Sequence, residues 1–135
     1  MSRVADLGRE RYVLLTTFRK DGSAVATPVW IAPLGADELC FTTAGNAGKV
    51  KRVRRDARVT LQPCSMRGEP TAGTAVIDGT ARVVEGADFA PVEIAIRRKY
   101  GWQYRAVVAS GWVTEKLRRR SVADAGIVIR LTAND

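Results

Sequence analysis

The run Thr42-Thr43-Ala44-Gly45-Asn46-Ala47-Gly48-Lys49-Val50-Lys51 carries the clearest chemistry in the chain. A strand-like stretch ends in two hydroxyls, a loop of small residues follows, and a helix-like stretch opens with two lysines. Glycine lets backbone approach a ligand, the N–H groups at a helix start point outward, and lysines add charge, so the pattern suits a bound anion, phosphate above all. It is not a nucleotide P-loop. Only two residues separate Gly45 from Gly48, and Val50 stands where a magnesium-binding Ser or Thr belongs. The basic run continues through Arg52, Arg54 and Arg55 to Arg58, with Asp56 as its one acid. Spread over a helix and a strand start, these side chains cannot all point one way. Lys49 and Lys51, nearest the glycines, are the phosphate candidates, and the rest include plain solvated charges.

Composition removes much other chemistry. The chain has no histidine, which excludes Ser-His-Asp and Cys-His catalysis and any His-ligated metal. Its two cysteines, Cys40 and Cys64, are far apart and form no CxxC, so they read as small strand residues and no metal site is expected. Lys plus Arg number 22 against 14 Asp plus Glu, a net charge of +8, which calls for an anionic partner. Nucleic acid is the partner of another class that charge alone would allow. Aromatics are 7% of residues and do not interleave with the basic runs, and no reader motif occurs, which argues against it. No apolar run approaches the length of a membrane helix, and Met1 to Arg11 has no apolar stretch of a secretory signal, so a cytoplasmic protein without membrane association is expected.

The elements that must position these residues read as strands first. With 135 residues the chain is one domain, 1–135. Residues 1–10 hold a helical turn. Arg11 to Phe18 and Ala24 to Ala32 are β-branched, aromatic or apolar and flank Asp21-Gly22, a hairpin signal. Pro28 has no N–H for a ladder, so its strand belongs at an edge or carries a bulge. Glu38 to Thr43, Arg58 to Cys64 and Thr74 to Glu85 follow as strands, the last with a bulge expected at Gly79. The period then changes. Asp88 is the expected N-cap of a helix carrying Phe89, Val92, Ile96 and Tyr100, Gly101 interrupts it, and Gln103 to Arg120 forms a second helix. Ala125 to Leu131 closes the chain as a sixth strand. Consecutive hairpins imply antiparallel pairing, hence a mainly β fold: a small six-stranded barrel over 11–131 with two helices near 88–120 packed on it.

Three segments together carry a resemblance: Arg11-Tyr12-Val13-Leu14-Leu15-Thr16-Thr17 with its Asp21-Gly22 turn, Thr27-Pro28-Val29-Trp30, and Gly48 to Val59. They resemble the pyridoxamine-phosphate-oxidase-like split-barrel superfamily, and more narrowly its actinobacterial flavin/deazaflavin oxidoreductases that use coenzyme F420. The resemblance implies a homodimeric, FMN-binding-type split β-barrel with two cofactor sites between the chains. It places the cofactor phosphate on Lys49 and Lys51 with the Val50 backbone between them, and the tricyclic ring along the backbone of Pro28, Val29 and Trp30. It sets Thr42 and Thr43 beside the ribityl chain or phosphate, and adds Gln62 on the fourth strand. The family often has Arg-Lys where this chain has Gly48-Lys49, and Asn where it has Arg52. Trp30 and Trp112 also fit a purely packing role.

The function implied is hydride transfer from reduced coenzyme F420 to a small electron-poor organic substrate. The deazaflavin carries a phosphodiester and an anionic glutamyl tail, which suits a site flanked by Arg52, Arg54 and Arg55. Such chemistry belongs to the cofactor and needs no histidine, and no catalytic side chain is assigned. FMN is the alternative cofactor on the same fold, in an oxidoreductase or in a flavin or haem carrier.

Overall fold

The computed structural model describes residues 3–109 and 124–132. A short helix α1 (Arg3–Gly8) precedes β1 (Val13–Phe18), β2 (Ala24–Val29), β3 (Ala32–Leu34) and β4 (Glu38–Thr43). Then come α2 (Gly48–Arg55), β5 (Arg58–Pro63), β6 (Ile77–Glu85), a 3-10 turn at Gly86–Asp88, α3 (Ala90–Ala109) and β7 (Ala125–Leu131). The strands form one seven-stranded sheet in the order β2-β1-β5-β6-β7-β4-β3. Every pairing in it is antiparallel. Alternation explains the interior: Val13, Leu15 and Thr17 of β1 are buried while Leu14, Thr16 and Phe18 are half-buried on the opposite face. The core joins these to Ile31, Leu39, Phe41, Val59, Leu61, Ile127 and Ile129. Val50 and Val53 of α2 pack into it beside β1 and β6, and Val92, Ile96 and Tyr100 of α3 pack over β3, β4 and β7.

The six strands expected become seven because the second one breaks. Ile31 leaves the β2 ladder, and its N–H donates instead to the Tyr100 hydroxyl at 3.1 Å. Its carbonyl accepts from Lys99 Nζ at 2.5 Å and from the Tyr100 hydroxyl at 3.0 Å. Side chains of α3 thus satisfy backbone that a neighbouring strand would otherwise pair. The edge position inferred from Pro28 is observed: β2 ends the sheet, with Pro28 opposite Leu14.

Three other expectations need correction. Gly79 forms no bulge, for it pairs in register with Val59 and Leu131. Its missing Cβ serves close approach instead, since a Cβ there would lie 3.0 Å from Ile129 Cγ2 and 3.2 Å from the Arg130 carbonyl oxygen. The strand containing it starts at Ile77 rather than Thr74, because Thr74 is tied into a turn by its N–H and hydroxyl, both donating to the Thr71 carbonyl. Asp88 lies in the 3-10 turn and α3 opens two residues later. The interruption expected at Gly101 is observed one residue earlier, where two helical segments meet within α3. The helix runs on to Ala109 with a kink at Tyr100 (φ −108°, ψ 20°), the residue its hydroxyl fixes to Ile31. So two helical segments joined at this kink cover 90–109, while the remainder of the expected second helix, with Trp112, lies outside the described residues.

Candidate cofactor site

The anion candidates sit where the fold turns from β4 into α2. Thr42 and Thr43 end β4 opposite Gly126 and Ala125 of β7, with Thr43 buried and Thr42 half-buried. The loop after them is pinned from one side by a carboxylate, because the Gly45 N–H donates to Asp124 Oδ1 at 2.6 Å. Glu85 also approaches Gly45 and pairs with Arg54. The Gly45 N–H is therefore already committed, and the positive face lies further along, on α2.

Helix geometry sorts the basic residues. Successive residues turn by about 100°, so Lys49 and Lys51 stand about 200° apart around α2 while Lys49 and Arg52 are neighbours one turn on. Lys49 and Arg52 are half-buried, and Lys51 is exposed. Burial, and secondarily the Arg52 charge, hold the Lys49 ammonium below the ordinary lysine range. Among the described residues no carboxylate pairs with either one. By contrast Arg54 is paired with Glu85 and Arg58 with Asp56. Arg55 donates to the Phe18 carbonyl at 2.7 Å. The Val50 side chain is core, and its N–H donates to the Ala47 carbonyl at 3.1 Å.

The expected ring platform lies on the edge strand. Pro28 is exposed, Val29 is buried, and Trp30 is half-buried with its ring stacked on Tyr100, centroids 4.5 Å apart and planes 6° from parallel. The Trp30 side chain therefore packs inward, as a packing role requires, while the strand edge beside it carries no further strand. Gln62 is half-buried on β5 opposite Leu14, itself opposite Pro28, and its amide donates to the Thr74 carbonyl at 3.1 Å. The Gly68 turn approaches the same patch, its absent Cβ falling 3.6 Å from Leu14 Cδ1 and from Pro28 Cδ.

With this arrangement in place, comparison with known proteins is informative. The sequence profile described as pyridoxamine 5'-phosphate oxidase matches residues 4–133. The chain belongs to the pyridoxamine 5'-phosphate oxidase family. Similar solved structures include an F420 reductase at 19% identity, covering 98% of this chain and 96% of that one with a TM-score of 0.62. A conserved hypothetical protein, Rv2991, from Mycobacterium tuberculosis matches at 20% identity, 100% and 82% coverage and a TM-score of 0.64. HupZ from Group A Streptococcus matches at 10% identity, 98% and 89% coverage and a TM-score of 0.61. At such identities the likeness is one of fold, and it spans nearly the whole chain. A search of curated proteins finds no match. The antiparallel sheet with its helices is the family's split barrel, a fold of oxidoreductases that hold flavin-type cofactors.

Within this family member, the structure brings Pro28, Leu14 and Gln62 into one row of the sheet, and Lys49 onto one helix face with Arg52. It does not bring Lys51 to that face. Sequence reasoning counted Arg52 only among the flanking charges, although its three-residue spacing from Lys49 was the available signal. Thr17 was read only as part of a strand, yet its buried hydroxyl accepts from Arg52 Nε at 2.6 Å. Among the described residues no helix is long and apolar enough to cross a membrane.

Proposed function

We propose that this family member is a deazaflavin-dependent reductase, acting in the cytoplasm as a homodimer and transferring hydride from reduced coenzyme F420 to a small electron-poor organic acceptor. The observation that carries the reading is Lys49, a half-buried cation beside a second half-buried cation, with no carboxylate paired to it among the described residues. A desolvated, unmatched positive pair is stabilised by a bound anion. The solved F420 reductase of the same fold adds support for the cofactor class.

The residues present fit such a cofactor. Lys49 with its neighbours meets the phosphate, and Thr42 and Thr43 stand at the end of the preceding strand to meet the ribityl chain or phosphate. The backbone of Pro28, Val29 and Trp30 runs along an open sheet edge against which a flat ring can lie, with Gln62 in the same row as Pro28. The Val50 N–H is spent within its helix, so its part is to seat Lys49 by anchoring α2 in the core. When bound, the reduced deazaflavin supplies the hydride. The chain's own work is to orient the ring, fix the phosphate and exclude water.

FMN is the second reading, and one observation favours it: Lys49 and Arg52 supply two cations, which match a lone phosphate without any call for a longer anion. Titration of the purified protein with coenzyme F420 and with FMN at equal ionic strength separates the two. Tighter F420 binding is expected, with the margin shrinking as salt rises, because contacts from exposed arginines to a carboxylate tail are screened. Tighter FMN binding at every salt level would transfer the function to FMN chemistry. Sedimentation in the same buffers should show a dimer, and a stable monomer with cofactor bound would end the shared-site proposal. Nucleic-acid binding with neither cofactor bound would overturn the oxidoreductase reading.

A further inference from the structure

Thr17 breaks the pattern of its strand. Along β1 the core-facing positions are Val13, Leu15 and Thr17, all essentially inaccessible, the last at 1% exposure. A hydroxyl at such a position has to find a partner, and its partner is the Nε of Arg52 at 2.6 Å. That bond uses one of the five N–H donors of a guanidinium, and the other four have no protein acceptor among the described residues. The guanidinium folds back along α2 until Nη1 would lie 2.9 Å from a Cβ at position 48, so any larger residue there would push the guanidinium end aside. Gly48 has no left-handed backbone to require glycine, so the space for Arg52 is what its missing side chain provides.

The electrostatics make this a costly way to hold an arginine. Burial, then the charges of Arg19 and Arg55, hold Arg52 below the ordinary arginine range, and among the described residues no acidic group offsets them. Lys49 stands one turn away and is itself disfavoured as a cation by burial and by Arg52. A structural arginine ordinarily has a carboxylate or several carbonyls around it. This one has a neutral hydroxyl that fixes its direction and leaves its outer nitrogens unspent.

We propose that Arg52 is a specificity-determining ligand of the cofactor phosphate, acting with Lys49, and that Thr17 is its positioning residue while Gly48 supplies its room. The inference rests on the proposed function in assuming that the anion at α2 is a cofactor phosphate. It differs from the sequence reading in giving the second cation to Arg52 in place of Lys51. One arginine and one lysine on adjacent turns can hold a phosphate by a forked pair and a point charge together.

The test measures dissociation constants for two matched pairs of ligands: FMN against riboflavin, and coenzyme F420 against its phosphate-free deazariboflavin core. Wild type is compared with Arg52→Ala, Thr17→Val, Gly48→Ala and, as a charge control, Arg9→Ala, which removes an exposed arginine just after α1 that pairs with Asp6. Arg52→Ala should weaken the phosphorylated ligand about tenfold to a hundredfold and its phosphate-free partner hardly at all. Thr17→Val keeps the shape of a core residue, and Gly48→Ala displaces only the far end of a flexible side chain. Each should cost the phosphorylated ligand about three- to tenfold with an unchanged melting temperature. Equal losses for phosphorylated and phosphate-free ligands, or no loss from Thr17→Val and Gly48→Ala, would overturn the proposal. If wild type binds none of the four ligands, the proposed function fails. The inference is then judged on pyrophosphate: binding lost in Arg52→Ala and weakened in Thr17→Val upholds the site, and binding indifferent to both refutes it.

Discussion

Tyr100 meets Trp30 face to face at 4.5 Å while its hydroxyl, at the tip of the same ring, receives the N–H of Ile31 at 3.1 Å. One residue of α3 therefore holds both the last side chain of the expected ring platform and the backbone just past it. The hydroxyl also lies within donating distance of the Arg11 carbonyl at 2.8 Å, so the segment entering β1 and the link from β2 to β3 converge on it. Burial pushes the phenol up to about 12, so it stays a neutral donor through the physiological range.

Tyr100→Phe keeps the ring stack and deletes the acceptor for a buried N–H. The expected cost is about 1–3 kcal/mol in chemical denaturation, the penalty for an unsatisfied buried donor. If the strand break also sets the angle of Pro28–Trp30, ligand binding should weaken in the same variant even at temperatures where it is fully folded. Unchanged stability would mean that the Ile31 N–H finds another partner.

Lys99 gives the fold a pH signature. Its Nζ donates to the Glu10 and Ile31 carbonyls and lies 4.9 Å from the Tyr100 ring centroid. Burial lowers its pKa to about 8, with Glu10 pulling the other way. The unfolded chain keeps an ordinary lysine near about 10.4. Between those two values the unfolded state holds the proton and the folded state has released it, so this group's contribution to stability rises with pH across that window. The neutral amine still donates to both carbonyls. Lys99→Met should be less stable at every pH, and the wild-type advantage over it should grow from pH 7 to pH 10. A constant difference would mean that Lys99 titrates like an exposed lysine.

How far the sequence reveals this protein depends on whether the deciding interaction is local. The Asp21-Gly22 turn, the edge position of Pro28 and the start of α2 were legible because each follows from a residue's own backbone limits. Gly22 does take a positive φ of 90°. The break at Ile31 was not legible, since the groups that satisfy it lie 68 and 69 residues away in sequence. Gly79 misled for the same reason: its neighbours across the sheet, not its own strand, require glycine. At the site, Lys49 was legible from charge and spacing. Asp124, which takes the Gly45 N–H, and Thr17, which takes Arg52, were hidden by separations of 79 and 35 residues.

Gly126 offers a check on how α3 seats against the sheet. A Cβ there would lie 3.0 Å from Val92 Cγ1, in the buried core, and 3.1 Å from Val84 Cγ2, half-buried against it. Gly126→Ala should therefore cost about 1–3 kcal/mol, the usual penalty of overpacking. The compensating double variant Gly126→Ala with Val92→Ala should recover part of it. Additive losses would show that α3 does not rest on β7 at this point.

Lys49 and Lys51 provide the sharpest comparison for the site itself. Both are lysines of the same short helix, but one is half-buried beside Arg52 and the other is exposed about 200° around the axis. Lys49→Ala should weaken a phosphorylated ligand by about 1–3 kcal/mol. Lys51→Ala should weaken it by clearly less, through screened attraction only. The pH dependence follows from the direction of the Lys49 shift. Because burial and Arg52 lower its pKa, the free protein loses this cation at a pH below that of an ordinary lysine, and binding an anion pulls the proton back. Affinity should therefore fall as alkaline pH passes through the lowered value, with proton uptake on binding measurable by calorimetry in two buffers of different ionisation heat. Lys49→Arg keeps its charge over the whole range and should flatten that fall. A flat profile in wild type, or equal losses from Lys49→Ala and Lys51→Ala, would mean that the basic helix attracts anions only by its overall charge.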